Sequence, residues 1–203
     1  MFLEYRHPVH IITKNNLILR DLELLKELNK LDLVSVSVSI TSLNEDLRHK
    51  LEPRTVTGKG RLKVVKMLSD VGIPVNVMVA PIIPGLNSDE IPKIIEQAAL
   101  NGARSAGFTI VRLNGAIADI FKDWLYKSYP DRAEKTIHRI QACHNGKLND
   151  SRWENRISGD GIEAEAIHQL FKLSLKKYGL PKDKRPLDYS LFRNKFNRQL
   201  SLF

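Results

Sequence analysis

The stretch VNVMVAPIIPGLNSDEI, Val75 to Ile91, contains a strand, a turn and the entry to a helix in one short run. The apolar run Val77-Met78-Val79-Ala80 ends abruptly at Pro81. Pro84-Gly85 then makes a stiff turn, and Asp89 is placed to cap a helix over 89–101, with Ile91, Ile94, Ile95, Ala98 and Ala99 on its buried face. Pro92 falls at the third helical position in that frame, where no intrahelical N–H bond is lost. Asn101-Gly102 closes the helix.

The same alternation extends in both directions. Upstream, PVHIITK (8–14) reads as a buried strand, and 19–31 places Leu19, Leu22, Leu25, Leu28 and Leu31 at helical spacing. LVSVSVSIT (33–41) alternates at period two, with Val34, Val36, Val38 and Ile40 on one face and Ser35, Ser37, Ser39 and Thr41 on the other. A helix over 59–71 follows, with Gly72 suited to a left-handed C-terminal position. Downstream, SAGFTIVRL (105–113) is a fourth strand. Strands alternating with helices predict an α/β fold with a parallel sheet and right-handed crossovers. In such sheets ligands sit at the C-terminal strand ends.

After residue 113 the pattern changes to helices over 116–128, 131–143 and 160–178, with GKLNDSRW as a loop. The last 25 residues are basic, proline-interrupted and aromatic, and read as an extended tail. Three regions result: 1–113, the barrel or sheet part; 114–178, a helical extension; and 179–203, a basic tail.

The chain of 203 residues carries a net charge of +9, with 32 Lys+Arg against 23 Asp+Glu. Residues 144–203 hold 12 of those cations and 7 of those anions, so the tail end is the denser in charge. That balance suits a polyanion such as DNA, and equally a basic but indifferent surface. No apolar run approaches the roughly 18–20 residues of a membrane span. The N-terminus lacks a basic-then-apolar signal pattern, so a cytoplasmic location is expected. The single cysteine, Cys143, precludes a disulfide framework and a cysteine-based metal set.

The four strand ends offer Thr13 and Lys14, then Ser39 and Thr41, then Ala80 and Pro81, then Arg112. An ammonium, a guanidinium and hydroxyls around an apolar floor suit a ligand with a carboxylate and a sugar. Each member has a plainer reading. Lys14 suits a solvated position after a strand, Ser39 a small filler between strands, and Arg112 a partner for a helix carboxylate. No dinucleotide, Walker or nucleophile-elbow motif is present, and the six histidines include no H-x-x-x-H pair.

The ordered series HIITKNNLILRDLELL, SVSVSITSLNEDLRHKLEPRT and PVNVMVAPIIPGLNSDEI resembles the radical SAM superfamily, and within it the spore photoproduct lyase-like branch. The matching features are Thr-Lys after one strand, Ser-x-Thr ending the next, Glu52-Pro53-Arg54-Thr55, and Ala-Pro-Ile after the third. The resemblance covers about residues 8–113. It implies a partial radical SAM-type (β/α)6 barrel, here lacking its first β/α units, followed by a helical C-terminal extension. It also implies S-adenosylmethionine and a [4Fe–4S] cluster, whose electron generates a 5′-deoxyadenosyl radical. By this resemblance Lys14 contacts the methionine carboxylate, Ser39 and Thr41 lie near the methionine or ribose, and Ala80 offers backbone to the adenine.

The family's C-x-x-x-C-x-x-C loop is absent, and Cys143 alone cannot hold three irons. The chain therefore reads as the C-terminal part of a lyase-like enzyme of DNA repair or nucleic-acid modification, its cluster ligands expected in an upstream segment or a separate N-terminal half. An exposed sheet edge and an apolar face are expected where those units would pack. The terminal Gln199-Leu200-Ser201-Leu202-Phe203 is similar to the pentapeptide that docks on the bacterial β sliding clamp. The alternative function is thus an inactive module that docks on the clamp, and a third is an unrelated α/β sugar- or phosphate-binding barrel.

Overall fold

The computed structural model describes residues 1–152, 155–181 and 186–193. Four strands, β1 (Val9–Thr13), β2 (Val34–Ser39), β3 (Val75–Ile82) and β4 (Ser105–Ile110), form one parallel sheet among the described residues, in the spatial order of the chain. Among the described residues seven α-helices accompany them: α1 (Leu22–Asn29), α2 (Glu45–Leu51), α3 (Gly58–Asp70), α4 (Ile91–Leu100), α5 (Ile117–Ser128), α6 (Pro130–Ala142) and α7 (Ile162–Tyr178). Parallel strands laid down in sequential order, with right-handed crossovers, put every crossover helix on one face. The α/β class expected from the sequence is therefore what the chain adopts.

That face is the hydrophobic one. Val34, Val36, Val38 and Ile40 of the β2 segment meet Leu62, Val65 and Leu68 of α3 and Ile91, Ile94, Ile95 and Ala98 of α4. Each such valine, leucine or isoleucine side chain, fully buried, contributes about 1.5–3 kcal/mol. α7 packs on α4 and joins the same cluster through Ala164, Ile167, Phe171 and Leu175, and the Phe171 ring lies 4.7 Å from that of Phe108 on β4. A second cluster lies around the residues that follow β3 and β4. Phe121, Leu125, Ala133, Ile137 and Ile140 of α5 and α6 close over Ile83, Leu86, Val111 and Leu113.

The opposite face carries small polar side chains, and their hydrogen bonds cross the whole sheet. The His10 ring contacts Ser35 Oγ through Nδ1 at 2.6 Å and Ser37 Oγ through Nε2 at 2.9 Å. Asn76 Nδ2 donates to Ser35 Oγ at 3.5 Å, and Ser105 Oγ donates to Asn76 Oδ1. The period-two reading of 33–41 is borne out, and both faces of β2 are buried.

Local differences from the sequence expectations have physical causes. In place of one helix over 19–31 the chain forms a 3-10 turn, Asn16–Asp21, capped by the Asn15 side chain on Leu17 N, and then the α-helix Leu22–Asn29. β3 does not stop at Pro81 but runs to Ile82 through a cis Ala80–Pro81 peptide, and the β3–β4 register shifts between Val79 and Ile82. Proline has no N–H to give the ladder there. α4 begins at Ile91 after a 3-10 turn, Ser88–Glu90, so Pro92 is its second residue and Asp89 is not its cap. Helix α2 was not expected. It is short and mostly charged, and begins where the Asn44 side chain accepts from Asp46 N and Leu47 N. Gly72 and Gly102 end α3 and α4 at φ 81° and 83°, as read from the sequence.

β1 is an edge strand. Ile12 is 64% exposed, and Leu17 and Leu24 nearby are similarly open. The described part of the tail returns to this side. Asp188 N donates to Asp32 O at 3.1 Å, Arg193 N donates to Tyr5 O at 2.8 Å, and the Phe192 ring stands edge-on to His7. Gln199, Leu200, Ser201, Leu202 and Phe203 lie outside the described residues. No helix is long and apolar enough to cross a membrane among the described residues.

Candidate functional site at the strand ends

Thr13, the last residue of β1, pairs with Val38, so Lys14 follows level with Ser39, and its side chain reaches Thr41 two residues past the end of β2. Lys14 Nζ forms an ion pair with Glu52 Oε1 and lies 3.4 Å from Thr41 Oγ1. Glu52 sits just after α2. Its second oxygen, Oε2, accepts from Arg61 Nη2 at 2.7 Å. Arg61, in the first turns of α3, also donates to Val56 O at 2.9 Å, Ser39 O at 3.0 Å and Thr55 Oγ1 at 2.7 Å.

Burial grades the three charges. The side chains of Lys14, Glu52 and Arg61 are 39%, 12% and 2% exposed. A buried guanidinium is tolerated only with its donors satisfied and a counter-charge in contact, and Glu52 supplies that charge. Burial alone would raise the Glu52 pKa, but hydrogen bonds from Lys14 and Arg61 outweigh it and hold the carboxyl below its ordinary value.

Thr41 links this network to the turn after β3. Its hydroxyl is 3.0 Å from both Glu52 Oε1 and Ala80 O, so its single hydrogen serves one or the other. Asn87, buried at 1% exposure, donates to Thr41 O at 2.7 Å and Pro81 O at 3.1 Å and accepts from Ile83 N at 2.7 Å. Glu90 accepts from Ser42 Oγ at 2.5 Å, Leu43 N at 2.7 Å and Asn44 N at 3.1 Å. Turned toward those donors, its carboxylate leaves the start of α4 without a side-chain cap.

The residues singled out from the sequence divide accordingly. Lys14, Thr41 and Ala80 meet in one bonded set. Ser39 is buried, and it is the carbonyl that Arg61 uses. Arg112, two residues beyond β4, is half-buried and forms no hydrogen bond or ion pair with this set. Glu52, Arg61, Asn87 and Glu90 were missed as site residues. The sequence does carry a signal for Glu52, the run Glu52-Pro53-Arg54-Thr55. Nothing in the spacing tells that Arg61 points inward from a helix whose first turn reads as surface.

Residues 3–98, just under half of the chain, match the family model of the radical SAM superfamily. The chain is 31% identical over 126 residues to an uncharacterized protein of Mycobacterium tuberculosis, an alignment covering 61% of this chain and 37% of the relative. It is 42% identical over 74 residues to an uncharacterized protein of the Acidianus two-tailed virus, covering 36% and 24% respectively. An uncharacterized protein of Methanocaldococcus jannaschii is 26% identical over 132 residues, covering 65% and 48%. The chain thus spans about a third of the length of the mycobacterial relative and less than half of the other two.

The donor set fits one of the two groups this superfamily implies. An exposed ammonium beside a hydroxyl suits the carboxylate of S-adenosylmethionine. The iron–sulfur cluster does not fit. No group of three His, Cys, Asp or Glu side chains is placed to hold a metal among the described residues. Cys143 is wholly buried at the end of α6, and burial, with Glu163 nearby, pushes its thiol up to about 12.

Proposed function

We propose that this chain is the S-adenosylmethionine-binding, C-terminal part of a radical SAM-type (β/α)6 barrel of the spore photoproduct lyase-like branch. The observation that carries the reading is the meeting of Lys14, Thr41 and Glu52 at the ends of β1 and β2, inside the segment that matches the family. One-sided winding of the sheet supports a barrel part over 1–113, with 114–178 as its helical extension and 179–203 as its tail. Lys14 takes the methionine carboxylate, the Ser39–Thr41 strand end lies against the methionine or ribose, and Ala80 presents backbone to the adenine. In this superfamily the bound sulfonium supplies one-electron chemistry. The cluster that such chemistry needs is held by another segment or a separate N-terminal half, for which the β1 side of the sheet, with the exposed Ile12, Leu17 and Leu24, offers a surface.

The substrate class we infer is nucleic acid, in repair or modification, on the support of the net charge of +9. Binding of S-adenosylmethionine to the full chain, measured by calorimetry, tests the core of the reading. The expected result is binding that Lys14→Ala weakens about tenfold or more, the worth of one charge-assisted hydrogen bond. Absence of binding, or indifference to Lys14→Ala, overturns it.

A second reading rests on the order of residues in Gln199–Phe203: docking of the tail on the bacterial β sliding clamp. A tail peptide that binds the clamp, and fails to when Phe203 is alanine, supports it. A peptide that does not bind removes it.

A further inference from the structure

We propose that Glu52 is the positioning residue of this site, fixing the Lys14 ammonium at the rim so that the site takes its ligand through a single carboxylate. The inference rests on the reading of Lys14 as the anchor. It concerns what makes Lys14 selective.

The bonds assign each charge a task. Arg61 is buried and spends its donors on Val56 O, Ser39 O, Thr55 Oγ1 and Glu52 Oε2, so it cannot reach a ligand. It locks one Glu52 oxygen in place. The other, Oε1, receives Lys14 and lies 3.0 Å from the Thr41 hydroxyl. An ammonium has three N–H donors. One is on Glu52, a second faces Thr41 at the long distance of 3.4 Å, and the side chain is 39% exposed. Donor capacity is thus left on the solvent side of a group whose direction is already set. Lysine carries many rotamers, and Glu52 removes that freedom before any ligand arrives.

The charge count narrows the ligand. Arg61 and Glu52 neutralise each other in the interior, leaving Lys14 as the one exposed cation of the network. A phosphate dianion held there would have a single ammonium in front of it and the Glu52 carboxylate behind. A carboxylate monoanion matches the site charge for charge.

The test compares two nucleosides on the full chain by equilibrium dialysis: S-adenosylhomocysteine, which has the carboxylate, and 5′-methylthioadenosine, which lacks the whole amino-acid end. The chain should prefer the first by about tenfold or more, and Glu52→Gln should reduce that preference to about threefold or less. A Glu52 with only a structural role would weaken both nucleosides alike and leave the ratio unchanged. If Glu52→Gln does not fold, Glu52→Asp retains both charges and, one methylene shorter, draws the carboxylate back from Lys14. A drop in the ratio for Glu52→Asp supports the proposal, and an unchanged ratio overturns it. Loss of preference in Lys14→Ala with full preference in Glu52→Gln overturns the role of Glu52 and leaves the Lys14 anchor standing. No preference in the unaltered chain overturns both.

Discussion

Asn87 holds Thr41: its amide donates to the Thr41 carbonyl at 2.7 Å, across from the turn after β3 to the end of β2. The same side chain closes its own turn through Pro81 O and Ile83 N. One buried amide therefore fixes how two strand ends face each other, and the site depends on it without Asn87 touching a ligand.

Asn87→Ala leaves Thr41 O and Ile83 N, both in buried residues, without this partner. Each orphaned buried group costs about 1–3 kcal/mol. A loss of about 3 kcal/mol is expected in urea unfolding, with Tm lower by roughly 6–12 °C. Asn87→Asp should be worse, since a carboxylate would then face two carbonyls. A change within experimental error for Asn87→Ala would mean water replaces the amide fully.

Arg61→Met strips Glu52 of its buried partner. Removing one member of a buried pair costs about 3–5 kcal/mol, because the remaining charge stays desolvated. The double variant Arg61→Met with Glu52→Gln should be less destabilised than the sum of the two single changes. Additive losses would show that the two residues do not act as a pair.

Acid should weaken this chain through two paired carboxylates. Glu52 has a folded pKa below its ordinary 4.5, so its pairing stabilises fully above that value and is lost as pH falls through the lower folded one. For Asp150, hydrogen bonds from the Arg152 side chain and backbone hold the carboxyl at about 2, against an ordinary 3.8. Its contribution therefore disappears between about pH 4 and pH 2. Arg152→Ala should lessen the loss of stability across that range, as read by urea midpoints. An unchanged loss would count against the Asp150–Arg152 pair.

Cys143 should be silent toward thiol reagents in the folded chain at pH 8. It is wholly buried, and its thiol is pushed up to about 12, so thiolate is scarce. One equivalent should react on unfolding in guanidinium. Fast reaction under native conditions would mean that α6 opens locally.

The sheet was legible in the sequence because β2 alternates at period two and β1 and β3 are rich in valine and isoleucine, and its helices because leucine and isoleucine recur at helical spacing. Helix α2 was not legible, since its only buried residue is Leu47 and its stability comes from the Asn44 cap and from packing. At the site, Lys14, Thr41 and Ala80 were found by counting strand ends, a rule of topology. Glu52 and Arg61 were not found. Their role depends on α3 aiming a charged side chain inward, and a charged residue in a helix otherwise reads as surface.

The polar rungs of the face opposite the helices have a bearing on register. A period-two pattern is blind to a slip of two residues, which returns every valine to the helix layer. Between β3 and β4 unlike pairs remove that ambiguity. Asn76 faces Ser105 and Met78 faces Gly107, where an added Cβ would stand 3.1 Å from the Met78 sulfur. A slip of two would set Asn76 against Gly107 or Ala103 and cost it the Ser105 hydroxyl. Between β1 and β2 the serines repeat, and His10 finds a hydroxyl in more than one alignment. There the check is electrostatic. Moving β1 by two residues would carry Lys14 roughly 6–7 Å from Glu52. The ion pair at the rim thus also proofreads the pairing of the strand that brings it there.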